Sequence, residues 1–108
     1  MNFADILKSP AAEGKEKHVP VIEVEDGAVR VIVGKEVAHP NTAEHHIAWA
    51  ELYGVMKNGM VIHLGRAAFA PGFVEPNVSF RVNTADFKAF CALAYCNIHG
   101  VWENCVEV

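Results

Sequence analysis

Short apolar runs separated by turn formers recur along most of this chain. "VPVIEVE" spans 19–25 and "AVRVIVG" spans 28–34, both rich in Val and Ile. Asp26-Gly27 stands between them, a pair favoured by two-residue hairpin turns. The pattern predicts a strand, a tight turn and a return strand. "EVAHPNTAEHH" over 36–46 carries a proline and several turn formers, so a loop is predicted there. "IAWAELYGVM" over 47–56 reads as a longer strand, with Ile47, Trp49, Glu51 and Tyr53 on one side. Asn58-Gly59 marks a second hairpin turn, and "VIHLGRAAFA" over 61–70 is its return strand. "PGFVEPN" (71–77) is a loop, and "VSFRVN" (78–83) alternates with a period of two.

The segment "DFKAFCALAY" over 86–95 reads two ways. Its Ala, Leu and Lys favour a helix, which Thr84 would cap. Its length also suits a strand leading into a turn at 96–100. "VWENCVEV" over 101–108 sets Val101, Glu103, Cys105 and Glu107 against Trp102, Asn104, Val106 and Val108. That is a half-buried final strand. Phe3 to Lys8 predicts a helical turn or two, and "SPAAEGKEK" a flexible lead-in. Several short strands with turns between them predict an antiparallel sandwich or barrel.

Composition narrows this picture. The 108 residues fit one domain over 1–108, with 1–17 as its lead-in. With 52% hydrophobic and 20% charged residues, the chain is globular and not disordered. A formal net charge of −4 and no Lys/Arg block argue against nucleic acid as a partner. No apolar run approaches the ~20 residues of a membrane span. The first residues lack a basic stretch followed by an apolar one, so no secretory signal is read. Three cysteines without framework spacing suit a reducing cytoplasm. Cys91 and Cys105 read as small buried hydrophobes, and Trp49 and Trp102 as core.

The candidate chemistry lies in the histidines and in Cys96. Histidines stand at 18, 39, 45, 46, 63 and 99, and all but His63 fall in predicted loops or at strand ends. Loops at one end of a sandwich gather in space, and sites are commonly built there. Structural zinc often uses paired C-x₂-C thiolates, and no such pair is present. A blue-copper centre needs two His, one Cys and a weak axial Met. Met56 and Met60 are remote in sequence from Cys96 and His99. Many imidazoles with one thiolate lean toward iron with an open position. His46 reads as a neighbour of the site or a surface residue, and His63 as structural. Asn97 and Gly100 are explained by the turn itself.

Three blocks then carry a resemblance. "EKHVP" (16–20), "HPNTAEHHIAW" (39–49) and "YCNIHGVWE" (95–103) resemble the signature blocks of superoxide reductase, also called neelaredoxin. The same iron domain forms the C-terminal half of desulfoferrodoxin. The resemblance spans about 13–108 and implies an all-β, immunoglobulin-like antiparallel β-sandwich, with 86–95 as strand. It implies one iron per chain, cycling between Fe(2+) and Fe(3+). Its ligands would be His18, His39, His45 and His99 in the equatorial plane and Cys96 on the axis. Glu16 matches a residue that can close the sixth position in the ferric state, and Lys17 one that draws in the anion. The implied activity is one-electron reduction of superoxide to hydrogen peroxide. The implied donor is a rubredoxin-like protein, because no cysteine precedes Cys91 to build such a module within the chain. Family relatives assemble as dimers or tetramers, so a homo-oligomer is expected. The alternative is an iron-binding electron-transfer or metal-binding module without efficient superoxide turnover.

Overall fold

The Asp26-Gly27 turn joins β1 (Pro20–Glu25) to β2 (Ala28–Val33), paired antiparallel from Glu25↔Ala28 to Pro20↔Val33. The computed structural model describes residues 1–12 and 17–108. Asn58-Gly59 likewise turns β3 (Ile47–Met56) into β4 (Val61–Ala68). β5 (Asn77–Arg81) returns to β2, and β6 (Phe87–Cys96) and β7 (Gly100–Glu107) form the last hairpin. Two antiparallel sheets result, in the orders β1-β2-β5 and β4-β3-β6-β7. They pack face to face as the expected immunoglobulin-like sandwich. One four-residue helix, α1 (Phe3–Ile6), precedes them, followed by a 3₁₀ turn at Pro10–Ala12.

Period-two alternation builds the core. Val29, Val31 and Val33 of β2 face Ala50 and Leu52 of β3 and Phe90, Ala92 and Ala94 of β6, all buried in one cluster. β6 is central, paired with β3 on one side and β7 on the other. Those two ladders satisfy its backbone on both sides, which outweighs the weak helix preference of its Ala and Leu. The helical alternative for 86–95 is thus not adopted; only the 3₁₀ turn Thr84–Asp86 precedes the strand.

Two readings are corrected. Trp49 is not core. The register shifts between Ile47 and Trp49, so Ile47 sits opposite Cys96 and faces inward, whereas Trp49 sits opposite Tyr95 and faces outward. A bulge of this kind exchanges the faces of the residues on its two sides. Trp49 lies against Tyr95 (centroids 5.7 Å apart) with the Arg66 guanidinium over its ring. Nor are Cys91 and Cys105 buried thiols. They oppose one another across β6 and β7, Cα atoms 4.0 Å apart, and form a disulfide. A sequence separation of 14 gave no framework pattern, but hairpin register brings the two together.

The chain start covers the free edge of β7. Lys8 N donates to Val101 O (3.2 Å) and Glu103 N donates to Lys8 O (2.7 Å), a parallel bridge opposite Trp102. An uncovered edge there would be open to pairing with another chain.

Candidate metal centre

Four segments deliver side chains to one end of the sandwich. His18 immediately precedes β1, His39 and His45 lie in the loop between β2 and β3, Cys96 ends β6, and His99 lies in the turn into β7. One ligand atom each from His18, His39, His45 and Cys96 lies within 4.8 Å of the other three. His99 adjoins them, its Nδ1 3.1 Å from His18 Nε2 and 3.6 Å from Cys96 Sγ. The four imidazoles close a ring. Centroids are 4.9 Å apart for His18–His39, 4.8 Å for His39–His45, 5.1 Å for His45–His99 and 4.7 Å for His99–His18.

This donor set fits a metal ion. His39 Nε2 and His45 Nε2 are buried with no hydrogen-bond partner among the described residues. Buried polar atoms are rarely left in that state unless something else occupies their lone pairs. His39 Nδ1 donates to Pro40 O at 2.7 Å if it carries the ring proton, which leaves Nε2 as the free lone pair. Burial pushes His39 down to about 4; the Pro40 carbonyl opposes this, and His18, His45 and Lys17 reinforce it. His99 is lowered too, mainly by burial, then by His18, His45, Lys8 and Lys17. Both rings are therefore neutral at pH 7, the form that binds metals.

The surrounding loops are tied by side-chain amides and a hydroxyl. Thr42 closes the turn before His45: its N donates to His45 O (2.9 Å) and its Oγ1 accepts from His45 N (3.1 Å). Asn97 joins the β6–β7 turn to the histidine loop. Its Oδ1 accepts from His46 N (2.9 Å) and its Nδ2 donates to Glu44 O (2.9 Å). No non-glycine residue has positive φ among the described residues, so Asn97 serves by these bonds and not as a left-handed turn residue. Trp102 stacks on His18 with centroids 4.9 Å apart, and the Lys8 ammonium lies 5.3 Å from the same indole. Lys8 carried no signal in the sequence, because only the edge bridge brings it to this end.

Other candidates fall elsewhere. His46 Nδ1 faces Thr42 O at 3.0 Å, and His63 Nε2 lies 2.8 Å from Glu51 on the outer sheet face. Met56 and Met60 lie at the β3–β4 turn, the opposite end of β3 from Ile47 and Cys96. Lys17 stands beside His18, and Glu16 lies outside the described residues.

A pH prediction follows from His39. Its folded value of about 4 lies below the ordinary 6.5, so the unfolded chain takes up the proton first. The metal-free protein should hold this contribution above pH 6.5 and lose it progressively as pH falls through about 4. Urea titrations of metal-free protein at stepped pH would show the midpoint falling across that window. A flat midpoint would mean that His39 titrates as an ordinary histidine.

Comparisons with known proteins agree with this geometry. The family model described as Desulfoferrodoxin matches residues 10–105. A superoxide reductase of Pyrococcus abyssi is 48% identical, with 96% of each chain covered. A neelaredoxin of Megalodesulfovibrio gigas is 34% identical, over 82% of this chain and 84% of its own. Among solved structures, a one-iron superoxide reductase from Giardia intestinalis superposes with a TM-score of 0.80 at 41% identity. That match covers 87% of this chain and all of that one.

Proposed function

The chain belongs to the desulfoferrodoxin family, and from that membership we propose that it is a superoxide reductase. One superoxide, one electron and two protons give one hydrogen peroxide. The whole of 1–108 acts as one iron-binding domain, with His18, His39, His45, His99 and Cys96 as ligands and one iron per chain. The observation that carries this reading is the ring of four imidazoles closed beside a buried thiol. Iron bound there supplies a one-electron couple between its ferrous and ferric forms.

The residues of the chain account for the rest. Four neutral imidazoles add no charge and the Cys96 thiolate adds one negative charge, so the site with a divalent cation stays net positive. A positive site attracts an anion and raises its encounter rate, which matters on a chain of net charge −4. Lys17 adds to that field beside His18. Lys17→Ala should slow the second-order reaction with superoxide about threefold at low salt and less at high salt, where screening removes the effect. Equal rates at low salt would take Lys17 out of the mechanism. Glu16, two residues before His18 in sequence, would supply a carboxylate able to compete with anions for the oxidised centre. The electron comes from a rubredoxin-like donor, and the chain works as a homo-oligomer in the cytoplasm. Among the described residues no helix is long and apolar enough to cross a membrane.

The deciding experiment joins metal analysis to a single-turnover reaction. About one iron per chain, a thiolate-to-ferric band that bleaches on reduction, and one peroxide per iron without oxygen release are expected. A coloured iron protein inert to superoxide would be an electron-transfer module. Protein that retains no iron after anaerobic loading, and shows no band when then oxidised, would leave no iron function.

A further inference from the structure

The Cys91–Cys105 disulfide closes a loop that contains both Cys96 and His99. From it the register runs without a break through Ala92↔Asn104 and Ala94↔Trp102 to Cys96↔Gly100, the end that bears the metal-centre residues. Among the described residues β7 is paired with β6 and, apart from the Lys8 bridge, with no other strand, so it is an edge strand. The disulfide ties this edge covalently to β6. Trp102, the third residue of β7, lies between the disulfide and the turn and stacks on His18, so movement of β7 reaches a third residue of the centre.

The disulfide is also accessible. Cys105 is exposed, and Cys91 lines a cavity of about 460 Å³ between α1 and the outer sheet face, with Phe3, Leu7, Tyr53 and Leu93. Exposed disulfides exchange readily with thiolates, whereas enclosed ones resist. Cys96 does not compete. It faces the core and is fully buried, while Cys91 and Cys105 lie on the outer face.

We propose that Cys91–Cys105 is a thiol–disulfide exchange site for dithiol reductants, and that its oxidation state sets how firmly the β6–β7 hairpin retains the metal. This rests on the metal-centre reading above. The thiolate of a dithiol attacks the Cys105 sulfur, and Cys91 leaves into the cavity and takes up a proton. The reductant's second thiol then displaces Cys105, which is protonated in turn. Two electrons pass to the protein and the reductant becomes a disulfide. The reverse oxidation uses hydrogen peroxide, the product assigned above: two thiols and one peroxide give the disulfide and two waters.

The test uses the full iron-loaded chain. Dithiothreitol is added under anaerobic conditions, free thiols are alkylated without denaturant, and mass spectrometry locates the label. Iron transfer to a ferrous chelator is timed in parallel. Label on Cys91 and Cys105 but not Cys96 is expected. Iron release should accelerate about fivefold or more, the low end of ordinary coupling between sites. C91S/C105S should release iron at the fast rate without reductant and ignore its addition, which separates the clasp from any effect of the reductant on iron. Absence of label in the folded protein would overturn the exchange site. Label with unchanged release would overturn the coupling. Untreated protein that binds no iron would instead refute the metal-centre reading. Hydrogen exchange of the 97–103 amides in metal-free protein, faster on reduction if the clasp holds the hairpin and unchanged if it does not, then decides the clasp alone.

Discussion

Cys96→Ser is expected to remove the visible thiolate-to-ferric band and to cut superoxide reduction by more than about a hundredfold, since even groups that merely support a metal ligand are worth ten- to hundredfold. The substitution is chosen because it spares the fold. Cys96 is buried at the end of β6, and its sulfur accepts from His99 N at 3.4 Å. A serine hydroxyl occupies nearly the same volume and can accept the same bond, so the turn to His99 keeps its anchor. What changes is the donor. A thiol becomes a soft, charged ligand when it binds a metal, whereas a neutral hydroxyl donates weakly. The variant should therefore melt close to the parent when both are metal-free, while losing colour and turnover. Unchanged superoxide reduction would mean that the thiolate takes no part in the chemistry, and the reading built on it would fall.

What was legible in the sequence, and what was not, follows from the range of each interaction. The hairpins at Asp26-Gly27 and Asn58-Gly59 are local, and their turn residues sit beside the strands they join. Strand 86–95 was ambiguous because its state depends on β3 and β7, neither of which is visible in its own ten residues. The outward turn of Trp49 depends on a bulge, a one-residue offset that leaves the alternation of apolar and polar residues unchanged. That loop histidines and Cys96 would gather was legible because loops at one end of a sandwich converge, whereas the choice of His18, His39, His45 and His99, with His45 preferred to His46, came from the resemblance of the three blocks. The supports of that site were not. Asn97 reads as a turn residue until its partners His46 and Glu44 are placed, and Lys8 reaches the centre only through the edge of β7. The disulfide lay hidden for a similar reason: pairing of Cys91 with Cys105 is a statement about register, and register is fixed by the whole sheet.

Gly34→Ala should cost about 2–4 kcal/mol of stability, as a sum of left-handed strain and a backbone clash, and should also weaken iron retention. Gly34 follows β2 with φ +84°, and a Cβ built there would stand 2.6 Å from His39 N and 3.2 Å from Val37 O. Both are backbone atoms, so no side-chain rotation relieves the contact. The loop must move, and His39 moves with it. Gly27→Ala is the control. Its φ is +80°, yet a Cβ there meets nothing within 4 Å, and it lies at the end of β1 away from His18. That variant should carry the strain alone, about 1–2 kcal/mol, and keep its iron. Denaturant titrations give the stabilities, and iron per chain after dialysis against a chelator gives the second effect. If both variants lose equal stability and both keep iron, the loop yields without disturbing His39, and Gly34 is only a turn residue. If Gly34→Ala alone loses iron, a missing methyl group at the end of β2 is part of what holds a histidine in place five residues later.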